Sequence, residues 1–439
     1  MNASLLRIPY LAACLFLTVF SCEATNGDSP EVGWPAFQNG GQSRVPAGSI
    51  ATTWSPTENI AWTAEIEGYG QSTPVIAKEQ IYVTSVSGDQ RQQYHLSAFD
   101  LISGQRLWKR DFQNPAPSAN TPMVSRAAPT PIADSQGCIA FFEGGLVVAI
   151  DRTGTTRWQR DLVADYGKAE ARHGVAASLE SDDSRVFVWV ERSEDPYILA
   201  LDKRSGRTAW KKSGVGSTSW ASPRLLTVED GEHLVCSASG KIIAVDPKNG
   251  QLLWEFAEIA NNTSCTPIPI STGKFLIGAS DGRGEASAGS GAAFNGVVEV
   301  KRKENGFSVA FVWNAEKASC SFGSPVVAGD TVCIVNRAGV LYQLNAKNGD
   351  RLSTMRTSAG GIWATPIVSG HLIYLFGSKG TTSVISLVDG TEIAANPSWD
   401  AAKDGSSSGG GVLYAAAVAS PYLILRRGDS LIAIKDLDP

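Results

Sequence analysis

The 439-residue sequence predicts an all-β protein: an eight-bladed β-propeller of four-stranded antiparallel blades, with an N-terminal strand closing the last blade. Three observations predict it. A hairpin of one design recurs: SAFDLISGQRLW from Ser97 returns as AIDRTGTTRW from Ala149, ALDKRSGRTAW from Ala200 and AVDPKNGQLLW from Ala244. Eight equivalent positions align, at Asp100, Asp151, Asp202, Asp246, Lys301, Asn345, Ser386 and Lys435, at intervals of 41 to 55 residues. That period belongs to propeller blades rather than to helical arrays. Finally, 44 Gly and 21 Pro among many Val, Ile and Thr favour short strands and tight turns.

The chain opens on a segment, residues 1–24, that reads as a secretory signal. Arg7 supplies a positive start and Ile8 to Phe20 an apolar stretch of signal length, too short to span a bilayer comfortably. Two processing routes stay open: lipidation of Cys22 in Val19-Phe20-Ser21-Cys22, which is similar to a bacterial lipobox, or cleavage after Ala24. Residues 25–53 form a lead-in, and 54–439 the propeller. Within the latter, Asn59-Ile60-Ala61-Trp62-Thr63-Ala64-Glu65-Ile66 is an outer strand without its own blade. The last repeat, YLILRRGDSLIAIKD, stops one strand short, so the two are expected to pair and remove an open edge.

Each unit between these ends has the same parts. A short strand a carries Ser/Thr-Pro (STPVI, PTPIA, ASPRL, CTPIP, GSPVV, ATPIV). Strand b is apolar (IYVTSV, RVFVWV, HLVCSA, TVCIVN, LIYLFG), and strand c ends at the aligned position. The c–d turn explains its own recurrence. Asp100, Asp151, Asp202 and Asp246 can accept nearby backbone N–H groups, and Gly104, Gly154, Gly206 and Gly250 supply a positive φ. Trp108, Trp158, Trp210 and Trp254, with Trp62 as their N-terminal counterpart, are expected to fill the wedge between splayed sheets. Later repeats carry Ser353 and Ala394 there. All of these are structural expectations.

The turn A-[FILV]-D-x-x-[TSN]-G-x-x-x-W, the preceding Ser/Thr-Pro strand and the eight units resemble the PQQ-like repeat propellers, from about residue 34 to the C-terminus. That resemblance has two branches. One is the quinoprotein alcohol dehydrogenases, which hold pyrroloquinoline quinone (PQQ) over calcium with Glu, Asn and Asp and often cover it with adjacent cysteines. The other is the BamB scaffold of outer-membrane protein assembly, a non-catalytic platform for partner proteins. This sequence has no Cys-Cys pair and no long insertions to build the quinone pocket. Its placeable acids sit in structural turns. The expectation is therefore a BamB-like scaffold without catalytic residue, metal or PQQ, and the alternative is a divergent PQQ-dependent oxidoreductase.

Nothing else in the chain supplies chemistry. His95, His173, His233 and His371 occupy non-equivalent places, with His233 and His371 expected in solvated a–b turns. No nucleophile elbow, zinc-protease helix or P-loop occurs. Cys138, Cys236, Cys265, Cys320 and Cys333 read as buried thiols, with a Cys265–Cys320 bridge left open. A net charge of −5 without a basic run argues against nucleic acid.

The functional signal is an asymmetry of loops. Connections d-to-a and b-to-c emerge on one rim, here the top, and the long ones all belong there: 113–126, 162–173, 191–196, 281–295 and 396–411. Binding residues concentrate on elaborated loops over a rigid scaffold. Arg126, Arg172, His173 and Arg283 are the candidates for a mildly positive binding surface. The implied partner is an envelope protein or surface ligand, met by a monomer in the periplasm or at the outer membrane, with no membrane contact beyond a lipid anchor at Cys22. A polysaccharide-binding role would need aromatics on the top face; Trp399 is the one tryptophan in those loops.

Overall fold

In the computed structural model the chain divides into two units, Met1–Glu31 and Val32–Pro439. The structure describes Met1 and residues 33–437, except 122–123, 172, 218–219, 263, 282–290, 321 and 400–411. Residues 2–24 of the expected signal, with Cys22, lie outside the described residues, as do Arg172 and Arg283. Among the described residues no helix is long and apolar enough to cross a membrane.

The second unit is an eight-bladed β-propeller. Blade 1 runs outward from the channel as strands a (Val75–Ala77), b (Gln80–Ser87), c (Gln93–Asp100) and d (Arg106–Gln113), each antiparallel to the next. Blades 2 to 6 follow at 132–161, 180–213, 224–256, 268–314 and 326–356. Blade 7 comprises Ile367–Ser369, Leu372–Phe376, Thr381–Ser386 and Thr391–Pro397. Blade 8 takes Leu413–Ala419, Tyr422–Arg427 and Ser430–Ile434 from the C-terminus and its outer strand, Ile60–Glu65, from the N-terminus. Trp62 faces Ala433 across that closure as Trp108 faces Ala98 in blade 1. Inner strands sit between two sheets and are buried throughout, as in Leu146–Asp151 up to its last residue. Outer strands such as Thr156–Asp161 meet solvent and bury mainly their tryptophan.

The repeated turn works as a latch between blades. In blade 1 the Asp100 carboxylate accepts the Ser103 N–H at 2.7 Å and its hydroxyl at 2.6 Å. These donors hold its pKa below the ordinary value, as Thr153 and Ser205 do for Asp151 and Asp202. The tryptophan of the preceding blade then docks on the turn. Trp62 Nε1 donates to Leu101 O (3.0 Å), Trp108 to Arg152 O (2.9 Å), Trp158 to Lys203 O (3.0 Å) and Trp210 to Pro247 O (2.9 Å). Each indole lies flat on the turn glycine. A Cβ on Gly104 would stand 2.5 Å from Trp62, and one on Gly206 2.6 Å from Trp158. Glycine is thus required there twice, for its φ of +69° and for the ring above it. The c–d ladder carries a register shift beside this point in every blade, adding local twist to the outer strand.

One expectation needs correction, that of His233, and two tryptophans add to the latch pattern. Trp313, in the longer c–d hairpin of blade 5, latches to Ala346 O at 2.9 Å and lies on Gly349. Trp254 lacks an Asp-to-Gly turn in blade 5, and its Nε1 donates instead to His233 Nδ1 at 2.9 Å. His233 is accordingly buried, 2% exposed, not solvated, while His371 is exposed. The five described cysteines are all buried free thiols. Cys265 and Cys320 lie side by side against Gly278 without a bond, and burial pushes the Cys320 thiol up.

Candidate functional site: the channel mouth

The Ser/Thr recurs because it sits just before strand a of its blade, where its hydroxyl meets the neighbouring blade. The Thr73 N–H donates to Thr130 Oγ1 (3.0 Å), Thr130 N–H to Ser178 Oγ (3.1 Å) and Ser178 N–H to Ser222 Oγ (2.9 Å). Ser222 N–H continues to Thr266 Oγ1 (2.9 Å), Thr266 N–H to Ser324 Oγ (2.9 Å) and Ser324 N–H to Thr365 Oγ1 (3.2 Å). One hydroxyl from each of blades 2 to 7 therefore forms a belt that satisfies a buried backbone donor of the preceding blade. Blade 8 interrupts the belt with Ala415 and Ala416.

Below the belt the lead-in crosses the channel. Trp34 exchanges backbone hydrogen bonds with Ile76 of blade 1, and Pro35 O accepts from Ala133 N of blade 2. Arg44–Val45 adds a parallel strand to strand a of blade 7. Gln38 sits between, donating to Thr365 Oγ1 at 3.1 Å and accepting from Arg224 Nη2 at 3.1 Å. Arg224 is fully buried and is neutralised by Glu180 at 2.9 Å. Burial raises the Glu180 pKa and lowers that of Arg224, each opposed by the charge of the other. The channel thus ends in a floor made by Trp34, Phe37 and Gln38, leaving a blind cup of about 350 Å³.

The cup opens on the top rim, and the residue two before the belt hydroxyl forms its lip. Around the ring these are Gln71, Ala128, Ala176, Trp220, Ser264, Phe322 and Trp363, with Tyr414 in the corresponding place of blade 8. Small side chains occupy blades 2 and 3; aromatic ones occupy 4, 6, 7 and 8. The aromatic members touch in sequence. Trp220 meets Phe322 (centroids 5.1 Å apart), Phe322 meets Trp363 (5.9 Å), Trp363 meets Tyr414 (6.0 Å) and Tyr414 meets Tyr69 (5.9 Å). Interplanar angles of 55° to 84° make this a palisade of edges and faces, not a stack. Trp363 is 40% exposed, unusual for so large an apolar ring.

The described binding candidates fall at the two ends of this arc. Arg126 holds its guanidinium 3.8 Å above the Tyr69 ring and reaches Tyr414 Oη at 3.5 Å. His173 stacks on Trp220, 5.7 Å away at 15°. Arg126 is half-buried and committed to tyrosines, so this part of the rim is aromatic where a positive surface was expected. The palisade itself was missed. Its signal was available in the residues preceding each Ser/Thr, namely Trp220-Ala221-Ser222, Phe322-Gly323-Ser324 and Trp363-Ala364-Thr365. Trp399 packs on Gly380 beneath Arg427 and is not among the residues lining the cup.

A second, smaller cavity of about 250 Å³ lies beside it, between the top loops of blades 1 and 2. Glu143, buried there, accepts the Ala127 N–H at 3.0 Å and faces Arg91 at 3.4 Å. Desolvation pushes its pKa up to about 7.

Fold and mouth together define a ring-closed PQQ-like repeat propeller whose channel is blind at one end. The chain belongs to the family whose model is described as outer membrane protein assembly factor BamB (PQQ_2), which matches residues 47–177, 168–312 and 312–396. It is 22% identical over 353 residues to the BamB protein of Bordetella pertussis, covering 72% of this chain and 84% of that one. It is also 22% identical over 308 residues to that of Shewanella oneidensis, covering 69% and 67%. Among solved structures, BamB from Moraxella catarrhalis aligns with a TM-score of 0.57 at 16% identity, over 86% of this chain and 97% of that one.

Proposed function

We propose that this protein is a non-enzymatic, envelope-associated scaffold of the outer-membrane assembly type, which engages a partner through the top rim and channel mouth. The observation that carries the reading is where the repeat breaks down. Turns on the bottom rim are short and alike, whereas the top rim holds the long loops and the non-equivalent aromatic lip. The names of the curated relatives support the envelope setting and the assembly role.

The proposal includes working without PQQ. A calcium-supported quinone needs carboxylate and amide oxygens; the described residues lining the cup include no Asp, Glu or Asn, and the amide oxygens of Gln38 and Gln71 already accept from Arg224 and Arg126 N–H groups. Among the described residues no cluster of His, Cys, Asp or Glu could hold a metal ion. The residues present therefore do not fit that group. Titration with PQQ and calcium is expected to leave quinone absorbance and melting temperature unchanged.

The scaffold reading is tested within one blade. A photo-crosslinking residue is placed at Lys379, exposed in the b–c turn of blade 7, or at Val388, exposed in the c–d turn of the same blade. In envelopes, position 379 is expected to capture a component of outer-membrane protein assembly and position 388 to capture none. Adducts from 388 alone, or from neither, would overturn the reading.

A further inference from the structure

The cup has a chemistry of its own, independent of any protein partner at the rim. Its described lining contains a single cation, Arg337, which lies 5.2 Å over the Phe322 ring, and no carboxylate. Side-chain donors are plentiful. The hydroxyl oxygens of Thr130, Ser178 and Ser324 each accept a backbone N–H, and no acceptor within the described residues meets their hydroxyl hydrogens. Trp34 is 1% exposed, lines the floor, and among the described residues its Nε1–H has no hydrogen-bond partner. A buried indole N–H without an acceptor is costly and rare, and at a cavity wall it calls for an acceptor in the cavity.

We propose that the cup binds the end of a neutral glycan bearing an acetamido sugar. Four properties of the cup select that class. A volume of about 350 Å³ lies at the small end of ligand sites, ~300–1,000 Å³, and is open to a chain at the mouth. The angled palisade offers successive apolar faces to the C–H face of a saturated ring; a flat aromatic ligand would need parallel plates. Among the described lining residues the carboxylates that usually accept from sugar hydroxyls are absent, so the site favours a ligand that brings its own acceptor to the free donors. An acetamido carbonyl does this, and its methyl group suits Ala128 and Ala176 opposite the rings. Finally, one engaged arginine gives little reward to a polyanion.

The test follows tryptophan fluorescence of the full-length protein titrated with the N-acetylglucosamine trimer, with maltotriose and with PQQ. Saturable binding of the acetylated trimer, about tenfold tighter than maltotriose, is expected. Trp363→Ala removes an exposed ring, so it should keep the melting temperature and weaken the trimer by about tenfold or more. Trp34→Phe keeps the ring and removes the donor; it should cut the preference for the acetylated sugar by roughly three- to tenfold. Trp220→Ala is the second variant should Trp34→Phe fail to fold. No saturable response to either sugar, equal affinity for both, or binding of PQQ alone would each overturn the proposal. Sugar titration and crosslinking from position 379 are separate readouts of the mouth, so loss of either response leaves the other to be judged on its own.

Discussion

The bottom latch and the top mouth are built from the same residue type to opposite ends. Trp62, Trp108, Trp158, Trp210 and Trp313 each donate an N–H to the next blade and cover a glycine. Trp220 and Trp363 stand at equivalent positions in their own repeats, yet they touch rings; their counterparts are Phe322 and Tyr414 on the same arc and Gln71, Ala128, Ala176 and Ser264 elsewhere. Where a position serves the fold, its chemistry recurs in five of the eight blades and its neighbours stay alike. Where the fold asks nothing, the residues diverge, and divergence gathered on one arc marks a surface with a task.

The comparison breaks most visibly at the latch. Trp158→Ala is expected to cost ~3–5 kcal/mol by removing a buried ring from between blades 2 and 3. Denaturant unfolding measures it, and crosslinking from position 379 should persist below the new transition. Arg224→Ala tests the floor. It leaves Glu180 buried without its partner and is expected to cost a similar ~3–5 kcal/mol. It also frees Gln38, so the lead-in should become sensitive to protease in the folded protein.

Smaller effects sharpen the contrast. Trp254→Phe keeps a ring but loses the hydrogen bond to His233, for about 1 kcal/mol. Glu143 should make stability depend on pH. Its carboxyl is held protonated up to about 7 in the fold, against 4.5 ordinarily, so the folded state binds the extra proton between those values. Its contribution is therefore fully present below pH 4.5 and is lost as pH rises through 7. The melting temperature of the wild type should fall by a few degrees more between pH 5 and 8 than that of Glu143→Gln. Equal slopes would remove Glu143 from the account.

Much of this was legible in the sequence because it repeats. The Asp-to-Gly turn and its tryptophan gave the blade count, and the orphan strand around Trp62 gave the closure. What did not repeat was harder to read. Trp313 was hidden by a longer hairpin, and His233 looked exposed because its burial depends on Trp254 from another strand. The palisade joins residues from blades 1, 4, 6, 7 and 8 that no local pattern links, and the lead-in gave no sign that it would floor the channel. The Ser/Thr-Pro stretch is legible as a strand, while the bond its hydroxyl accepts from the neighbouring blade is not. Contacts between repeats, rather than within them, were the invisible part.

In this reading the aromatic mouth serves binding, whereas the latch serves folding. The direct measurement is the double variant Trp220→Ala/Trp363→Ala carrying the photo-crosslinker at position 379. Melting temperature and adduct yield are read from the same preparation. The expected result is a melting temperature within ~1–2 °C of wild type, which for a chain of this length is about 1–2 kcal/mol, and loss of the partner adduct. A protein that keeps the adduct, or that unfolds as readily as Trp158→Ala, would contradict it.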